Sequence, residues 1–342
     1  MLETSSMALV ALTGLLAIAL LVASSEFAVR KIIGLAGYFR LSTTFMGVTV
    51  VSLATSIPEI AAHLTASVSI LVHRVDYRIG SALVLGANIG SDVVQQTLIM
   101  AIVVLLAGKL VFKRYFLAKS MIPMIATHLL SLILGWDRTY SRIDGLILFG
   151  AFMGYLAYLY VDERKHYDPR HNGFDETGAA PAGVPRTPQE AWSAIGATLA
   201  AMLITVASAM LTLRATEITV ARTGIGGSLI GVLTLGVASA LPELITAVSG
   251  IRKGDAGIPL GTLIGSNITN PLVGIGLGGL ISKYWVPDGL VLWDLPWEAI
   301  TGTLLLAYLW FNKGTIGKRG AIYLIAMYFA YVTLRSVFFA VD

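Results

Sequence analysis

Two glutamates occupy the same place in a stretch that the sequence contains twice. Residues 47–59 read GVTVVSLATSIPE and residues 231–243 read GVLTLGVASALPE, so that Glu59 and Glu243 each follow a proline inside an apolar segment. A carboxylate in hydrocarbon costs roughly 2.5–3.5 kcal/mol even on the most lenient insertion scale. Two such costs in matching settings predict a working site at these glutamates.

Oxygen donors accompany each glutamate. Thr55 precedes Glu59 by four residues and Ser239 precedes Glu243 by four, so each hydroxyl is expected on the helix face of its carboxylate. Each proline lacks an N–H and frees a backbone carbonyl one turn earlier. Such hard oxygen ligands favour Ca²⁺ or Na⁺ over zinc or copper. Prolines that merely kink a helix are the alternative, and the duplication argues against it.

A second pair of polar residues follows each copy. Residues 86–92 read GANIGSD and residues 261–267 read GTLIGSN, which aligns Asp92 with Asn267. The glycines spaced four apart are interpreted as helix-packing surfaces. The predicted site consists of four polar side chains with up to three negative charges, enough for one Ca²⁺ or several Na⁺: Glu59, Asp92, Glu243 and Asn267.

The composition predicts an integral membrane protein. Of 342 residues, 56% are hydrophobic and 13% are charged, too few charges to cover a soluble globule of this size. The absence of cysteine excludes disulfides and thiolate metal sites. Ten apolar segments are long enough to cross a bilayer, at 7–28, 43–72, 80–107, 115–135, 143–162, 191–213, 228–250, 257–281, 289–311 and 319–339. The lipid bilayer is therefore the expected environment, and no nucleic acid, protein partner or resident cofactor is predicted.

One polar, Pro/Gly-rich stretch divides the chain into halves. We expect a first five-helix repeat at 1–162, a linker at 163–190 and a second five-helix repeat at 191–342. Because five is odd, the second half enters the membrane from the opposite side, which predicts an all-α fold with a 5+5 inverted-topology repeat. Alternate loops carry 16 and 8 of the 24 Lys and Arg residues. The positive-inside rule then predicts extracellular termini and a cytoplasmic linker in a cell-membrane protein.

The motifs resemble those of a known family. ATSIPE with GSD, and ASALPE with GSN, look like the two alpha repeats of the sodium/calcium exchanger family of calcium/cation antiporters, over 47–108 and 231–280. The resemblance implies that Glu59 and Glu243 bind the transported ions. It implies further ligands from side chains and from backbone carbonyls: Thr55, Ser56, Ser239, Asp92, Asn267 and Asn88, with carbonyls near Ser52 and Gly236.

The resemblance also implies a function. It predicts a secondary antiporter that exchanges Na⁺ for Ca²⁺ by alternating access between inverted repeats. Ala240 stands where family members usually have a second hydroxyl, which keeps an H⁺/Ca²⁺ antiporter open as the alternative. An intramembrane hydrolase and an ion channel are less favoured. No GxGD, GxSxG or HExxH motif is present, so no enzyme activity is predicted.

Three other ionisable residues receive weaker interpretations. His63 lies one turn after Glu59 and has no counterpart in the second half, so its role, including proton sensing, stays open. Asp294 and Glu298 lie beside Trp293 and Trp297 and are interpreted as surface acids at an interfacial aromatic belt. We accordingly expect a substitution of Glu298 to leave function nearly unchanged.

Overall fold

The computed structural model describes residues 5–38, 52–112, 114–166, 184–252 and 257–342. Within these ranges the chain forms ten successive helical segments and four short strands. The first half contains α1 (Met7–Tyr38), α2 (Ser52–Thr55 and Ile57–Leu71), α3 (Tyr77–Ala107), β1 (Lys109–Val111), α4 (Arg114–Leu134), β2 (Thr139–Tyr140) and α5 (Arg142–His166). The second contains α6 (Pro188–Thr223), α7 (Gly227–Arg252), α8 (257–282), β3 (Tyr284–Trp285), α9 (Leu290–Phe311), β4 (Thr315–Gly317) and α10 (Lys318–Phe338).

Length and composition suit these helices to a bilayer. Eight candidate spans are long and apolar enough to cross a membrane within the described residues. The predicted ten-helix arrangement is confirmed, although α1 and α6 extend over 32 and 36 residues, well beyond the predicted 7–28 and 191–213. About 20 residues suffice to span the hydrocarbon, so helices of this length cross with tilt or project beyond it. Residues 47–51 of the first motif and 167–183 of the predicted linker lie outside the described residues.

The two short ladders relate the halves by the predicted inversion. β1 follows α3 and pairs antiparallel with β4, which follows α9. β2 follows α4 and pairs antiparallel with β3, which follows α8. Loops that pair must lie on the same side of the membrane, so the first ladder joins two loops after odd-numbered helices and the second joins two loops after even-numbered ones. A shift by five helices turns one ladder into the other and moves it to the opposite side, which is what an inverted five-plus-five repeat requires.

Close backbone packing joins α3 to α7 in the protein interior. A Cβ added to Gly86 would lie 2.3 Å from the Ser228 carbonyl oxygen, and one added to Gly231 would lie 2.3 Å from the Leu83 carbonyl oxygen. Only glycine permits backbones to approach so closely. The predicted packing role of the small residues in α3 is thus confirmed, with α7 as the partner.

Both motif helices are interrupted at matching residues. In α2 the break lies at Ser56, with φ −78° and ψ 4°, and in α7 it lies at Ala240, with φ −78° and ψ −3°. Pro58 and Pro242 come two residues later and cannot donate to the turn before them. Each break starts a new helix whose first turn carries a glutamate.

Candidate cation-binding site

The two motif glutamates are buried and short of partners. Glu59 is 2% exposed and Glu243 is 0% exposed. The Ser91 hydroxyl donates to Glu59 Oε1 at 2.7 Å. Among the described residues, Glu59 Oε2 and both carboxylate oxygens of Glu243 have no hydrogen-bond partner. A buried carboxylate without partners is costly, so these oxygens leave capacity for a bound cation.

Helix geometry gives both carboxylates the same electrostatic setting. Each lies in the first turn after a break, where the N-terminal end of a helix favours negative charge. The two glutamates are close enough to repel each other. A cation between them would relieve that repulsion.

Two of the site hydroxyls face the glutamate of the opposite half of the chain. Thr55 Oγ1 lies 3.2 Å from Ser266 Oγ, and both hydroxyls face Glu243 without a well-aligned hydrogen bond to it. Ser239 faces Glu59. Thr55 and Ser239 therefore each serve the glutamate of the other half, because the helix break separates each of them from its own. This pairing differs from the expectation that each hydroxyl lies on the helix face of its own carboxylate.

The remaining predicted donors near the breaks are also buried. Ser56 is 0% exposed, and its hydroxyl has no partner among the described residues. The Ser52 hydroxyl lies 3.4 Å from Thr269 Oγ1, and its carbonyl accepts from Thr55 at 3.2 Å. The Gly236 carbonyl accepts from the Ser239 hydroxyl at 3.3 Å.

Asp92 and Asn267 lie to one side of the glutamates. Asp92 Oδ1 accepts from Asn270 Nδ2 at 2.7 Å. Asn267 Oδ1 accepts from Gln96 at 2.7 Å, and Asn267 Nδ2 donates to Gln95 at 3.1 Å. Within the described ranges no hydrogen bond joins Asp92 or Asn267 directly to Glu59 or Glu243. Asn267 is connected to Glu59 through Gln95, which donates to Ser91 at 3.1 Å.

The structure also reveals donors that the motif analysis passed over. Ser91 and Ser266 contact or face the glutamates directly, and each immediately precedes a residue that the alignment singled out, Asp92 or Asn267. A π-helical turn begins four residues after each serine, at Gln95 and at Asn270. Such turns are frequent at functional sites because they turn side chains out of regular helical register.

His63 and Asn88 form a hydrogen-bonded layer beside the site. Asn88 Nδ2 lies 2.9 Å from the Asn270 carbonyl and 3.1 Å from His63 Nε2. His63 Nδ1 lies 3.1 Å from the Tyr284 hydroxyl, which also lies 2.6 Å from Ser67 Oγ. Both ring nitrogens of His63 therefore have partners, as a buried neutral imidazole requires.

The interpretation of Asp294 and Glu298 as surface acids is wrong. Asp294 is 0% exposed and Glu298 is 1% exposed. Asp294 Oδ2 accepts from Arg335 Nε at 2.8 Å, and Glu298 Oε1 lies 3.0 Å from His128 Nε2. The position of Glu298 along its helix is the sequence feature that predicts its burial. Glu298 lies eight residues into α9, or about 12 Å from its start, which is near mid-membrane depth.

Comparisons with known proteins agree with this architecture. The family model described as "Sodium/calcium exchanger protein" matches residues 9–161 and 192–337. Inner membrane protein YrbG of Escherichia coli is 28% identical over 244 residues, which cover 71% of this chain and 71% of that protein. The solved sodium-calcium exchanger NCX_Mj superposes with a TM-score of 0.62 at 20% identity, over 96% of this chain and 99% of that one. The solved H⁺/Ca²⁺ exchanger CAX gives 0.74 at 15% identity, over 95% and 85%.

Proposed function

The chain belongs to the sodium/calcium exchanger protein family, and from this premise we propose that it exchanges Na⁺ for Ca²⁺ across a membrane by alternating access. Both ions are transported substrates, and no resident cofactor is involved. The observation that supports the proposal most is the buried pair Glu59 and Glu243, which together have three carboxylate oxygens without a hydrogen-bond partner in the described part of the chain.

Competition for this pair would couple the two ions. Two ionised carboxylates neutralise one Ca²⁺, and the surrounding hydroxyls of Thr55, Ser56 and Ser239 add neutral oxygen ligands. Several Na⁺ ions would use the same oxygens, so one ion must leave before the other binds. Asp92, Asn267 and Asn88 are proposed as the flank of the site, and carbonyls near Ser52 and Gly236 as further ligands.

The proposed orientation places both termini outside the cell and the 163–190 linker in the cytoplasm. The reason is the excess of Lys and Arg on the linker's side of the membrane. The proposed boundaries of the two repeats remain 1–162 and 191–342. Cysteine labelling would test the orientation, because the chain has no cysteine of its own to remove.

One observation favours H⁺/Ca²⁺ exchange as the second candidate. Ala240 occupies the break of α7 at the place that Ser56 occupies in α2. The site therefore has one hydroxyl fewer in its second half. A carboxylate pair can exchange a divalent ion for protons without that hydroxyl.

Ion flux through purified protein decides between the two exchanges. We expect ⁴⁵Ca²⁺ uptake into proteoliposomes when a Na⁺ gradient is imposed with the pH clamped on both sides. Uptake driven only by a pH gradient would replace the sodium proposal with the proton one. Uptake without either counter-ion would identify a channel and reject both.

Substitution of the carboxylates tests the site itself. Glu59→Gln and Glu243→Gln should each abolish exchange, because an amide cannot neutralise Ca²⁺. Glu190→Gln is the matched control, since Glu190 is exposed at the start of α6 and a glutamine oxygen can still accept from the Arg186 amide. Transport that survives in both site variants would show that the ions bind elsewhere.

A further inference from the structure

We propose that Asp92, His128 and Glu298 form a second divalent-cation site, suited to a transition-metal ion such as Mn²⁺. This site does not include the glutamate pair, although it shares Asp92 with the flank of the proposed exchange site, and the inference does not rest on the proposed exchange. The three residues come from α3, α4 and α9, and each offers a ligand atom within 4.8 Å of the other two.

The three side chains are buried together in the membrane interior. Asp92 and His128 are 0% exposed, and Glu298 is 1% exposed. His128 Nε2 lies 3.0 Å from Glu298 Oε1. Neighbouring ligands of one metal ion lie about 3.0–3.4 Å apart when each bond to the metal is about 2.1 Å long. The distance between His128 Nε2 and Glu298 Oε1 is therefore already suitable for two ligands of one metal ion. A shift of about 1 Å in the Asp92 side chain would bring the third ligand into place.

Unsatisfied atoms indicate that the cluster is built for a ligand. In the described part of the chain, Asp92 Oδ2 has no hydrogen-bond donor, and Glu298 Oε1 has none besides its contact with His128 Nε2. The other Asp92 oxygen is held by Asn270, which fixes the carboxylate in place. Buried carboxylate oxygens that lack donors and face an imidazole match the requirement of a metal ion better than that of a closed structural network.

The donor set selects the kind of ion. Two carboxylates neutralise a divalent cation, and a neutral imidazole adds a nitrogen ligand that Ca²⁺ and Mg²⁺ seldom take. Imidazole with carboxylates suits the first-row divalent metals, among which Mn²⁺ is the most tolerant of oxygen ligands. The glutamate pair, by contrast, is accompanied by the hydroxyls of Ser91, Thr55 and Ser266. The two sites therefore differ in whether nitrogen is present.

The cluster also contacts the helix that completes the glutamate site. His128 Nε2 lies 3.2 Å from the Asn267 carbonyl, and Asp92 binds Asn270, both in α8. A metal on His128 Nε2 would require the ring hydrogen to reside on Nδ1 and would release the Asn267 carbonyl. Metal binding therefore changes the hydrogen bonding of α8 next to the π-helical turn at Asn270.

Electron spin-echo spectroscopy of bound Mn²⁺ distinguishes the sites. Purified full-length protein without a histidine tag, in nanodiscs with Mn²⁺ as the probe, should show ¹⁴N modulation from a coordinated imidazole. His128→Gln should remove the modulation. His63→Gln should retain it, since His63 is equally buried but bonded to Tyr284 and Asn88.

Two further variants keep the test decisive. The double variant Glu59→Gln, Glu243→Gln should retain the nitrogen signal, while Glu298→Gln should weaken Mn²⁺ binding at this site at least tenfold. Absence of the signal in the wild-type protein would overturn the proposal. So would its persistence in His128→Gln or its loss in the Glu59, Glu243 double variant. If His128→Gln does not fold, the loss of tight nitrogen-coordinated Mn²⁺ in Glu298→Gln decides in its place.

Discussion

The glycine contact between α3 and α7 makes a quantitative prediction. In Gly86→Ala the new Cβ would lie 2.3 Å from the Ser228 carbonyl oxygen, where ordinary contact begins at 3.4 Å. The two helices must therefore separate by about 1 Å, because the opposing atom belongs to the backbone and cannot rotate away. Overpacking of this kind costs about 1–3 kcal/mol.

Function should respond more strongly than stability to this separation. α3 carries Ser91, which donates to Glu59, and α7 carries Ser239, which faces the same carboxylate. A shift of about 1 Å between these helices lengthens or breaks the contacts of Glu59, and such misplacement can cost about 100-fold in rate. We expect Gly86→Ala to lose most gradient-driven ⁴⁵Ca²⁺ uptake and to melt about 2–6 °C lower in detergent.

Gly154→Ala is the matched control. Gly154 lies in α5, and a Cβ added there meets no described atom within 4 Å. Alanine also favours a helix over glycine by about 0.5–1 kcal/mol, so this variant should melt at or slightly above the wild-type temperature. Equal melting and equal transport in Gly86→Ala and Gly154→Ala would refute the close packing of α3 on α7 as the basis of the site.

Three more substitutions test other parts of the molecule. Arg335→Met leaves Asp294 buried without its cationic partner and should lower the free energy of unfolding by about 3–5 kcal/mol, measured by denaturant titration. Adding Asp294→Asn to this variant should restore part of the lost stability. Ser56→Ala removes a hydroxyl without a described partner, so the melting temperature should be unchanged while the Na⁺ concentration for half-maximal transport rises about tenfold. A lower melting temperature with unchanged Na⁺ dependence would assign Ser56 a structural role. Tyr284→Phe should cost about 1–3 kcal/mol, measured against exposed Tyr323→Phe, whereas equal stability of these two variants would contradict the buried network.

The sequence predicts the fold of this protein well because its strongest signals are local. Apolar segments of membrane length and a repeated motif with a proline before an acid define ten helices and their inversion. The break after Thr55 is also local, since Pro58 removes a donor. The pairing of hydroxyls with carboxylates beyond the break is not local. The exchange of Thr55 and Ser239 between the two glutamates depends on how α2 and α7 pack across the molecule.

Glu298 shows why part of the polar interior could not be predicted from motifs. It has no partner nearby in sequence, because His128 lies 170 positions away on another helix. Two neighbouring tryptophans suggest the membrane–water interface. The Trp297 ring nevertheless packs against buried Tyr331, with 5.8 Å between the ring centroids. Depth along the helix is a better guide than neighbouring residue types when an acid lies in the middle of an apolar segment.

The strand ladders limit which parts of the protein can move. One ladder ties the loop after α3 to the loop after α9, and the other ties the loop after α4 to the loop after α8. The Phe112 amide extends the first to Gly314, and the Val286 amide extends the second to Arg138. The two repeats are therefore joined by backbone hydrogen bonds at both faces of the membrane. A rocking motion of one repeat against the other would break these hydrogen bonds. The proposed alternating access would therefore use helices outside the two ladders, and the long α1 and α6, which pack on each other through Ser24 and Thr205, meet that requirement.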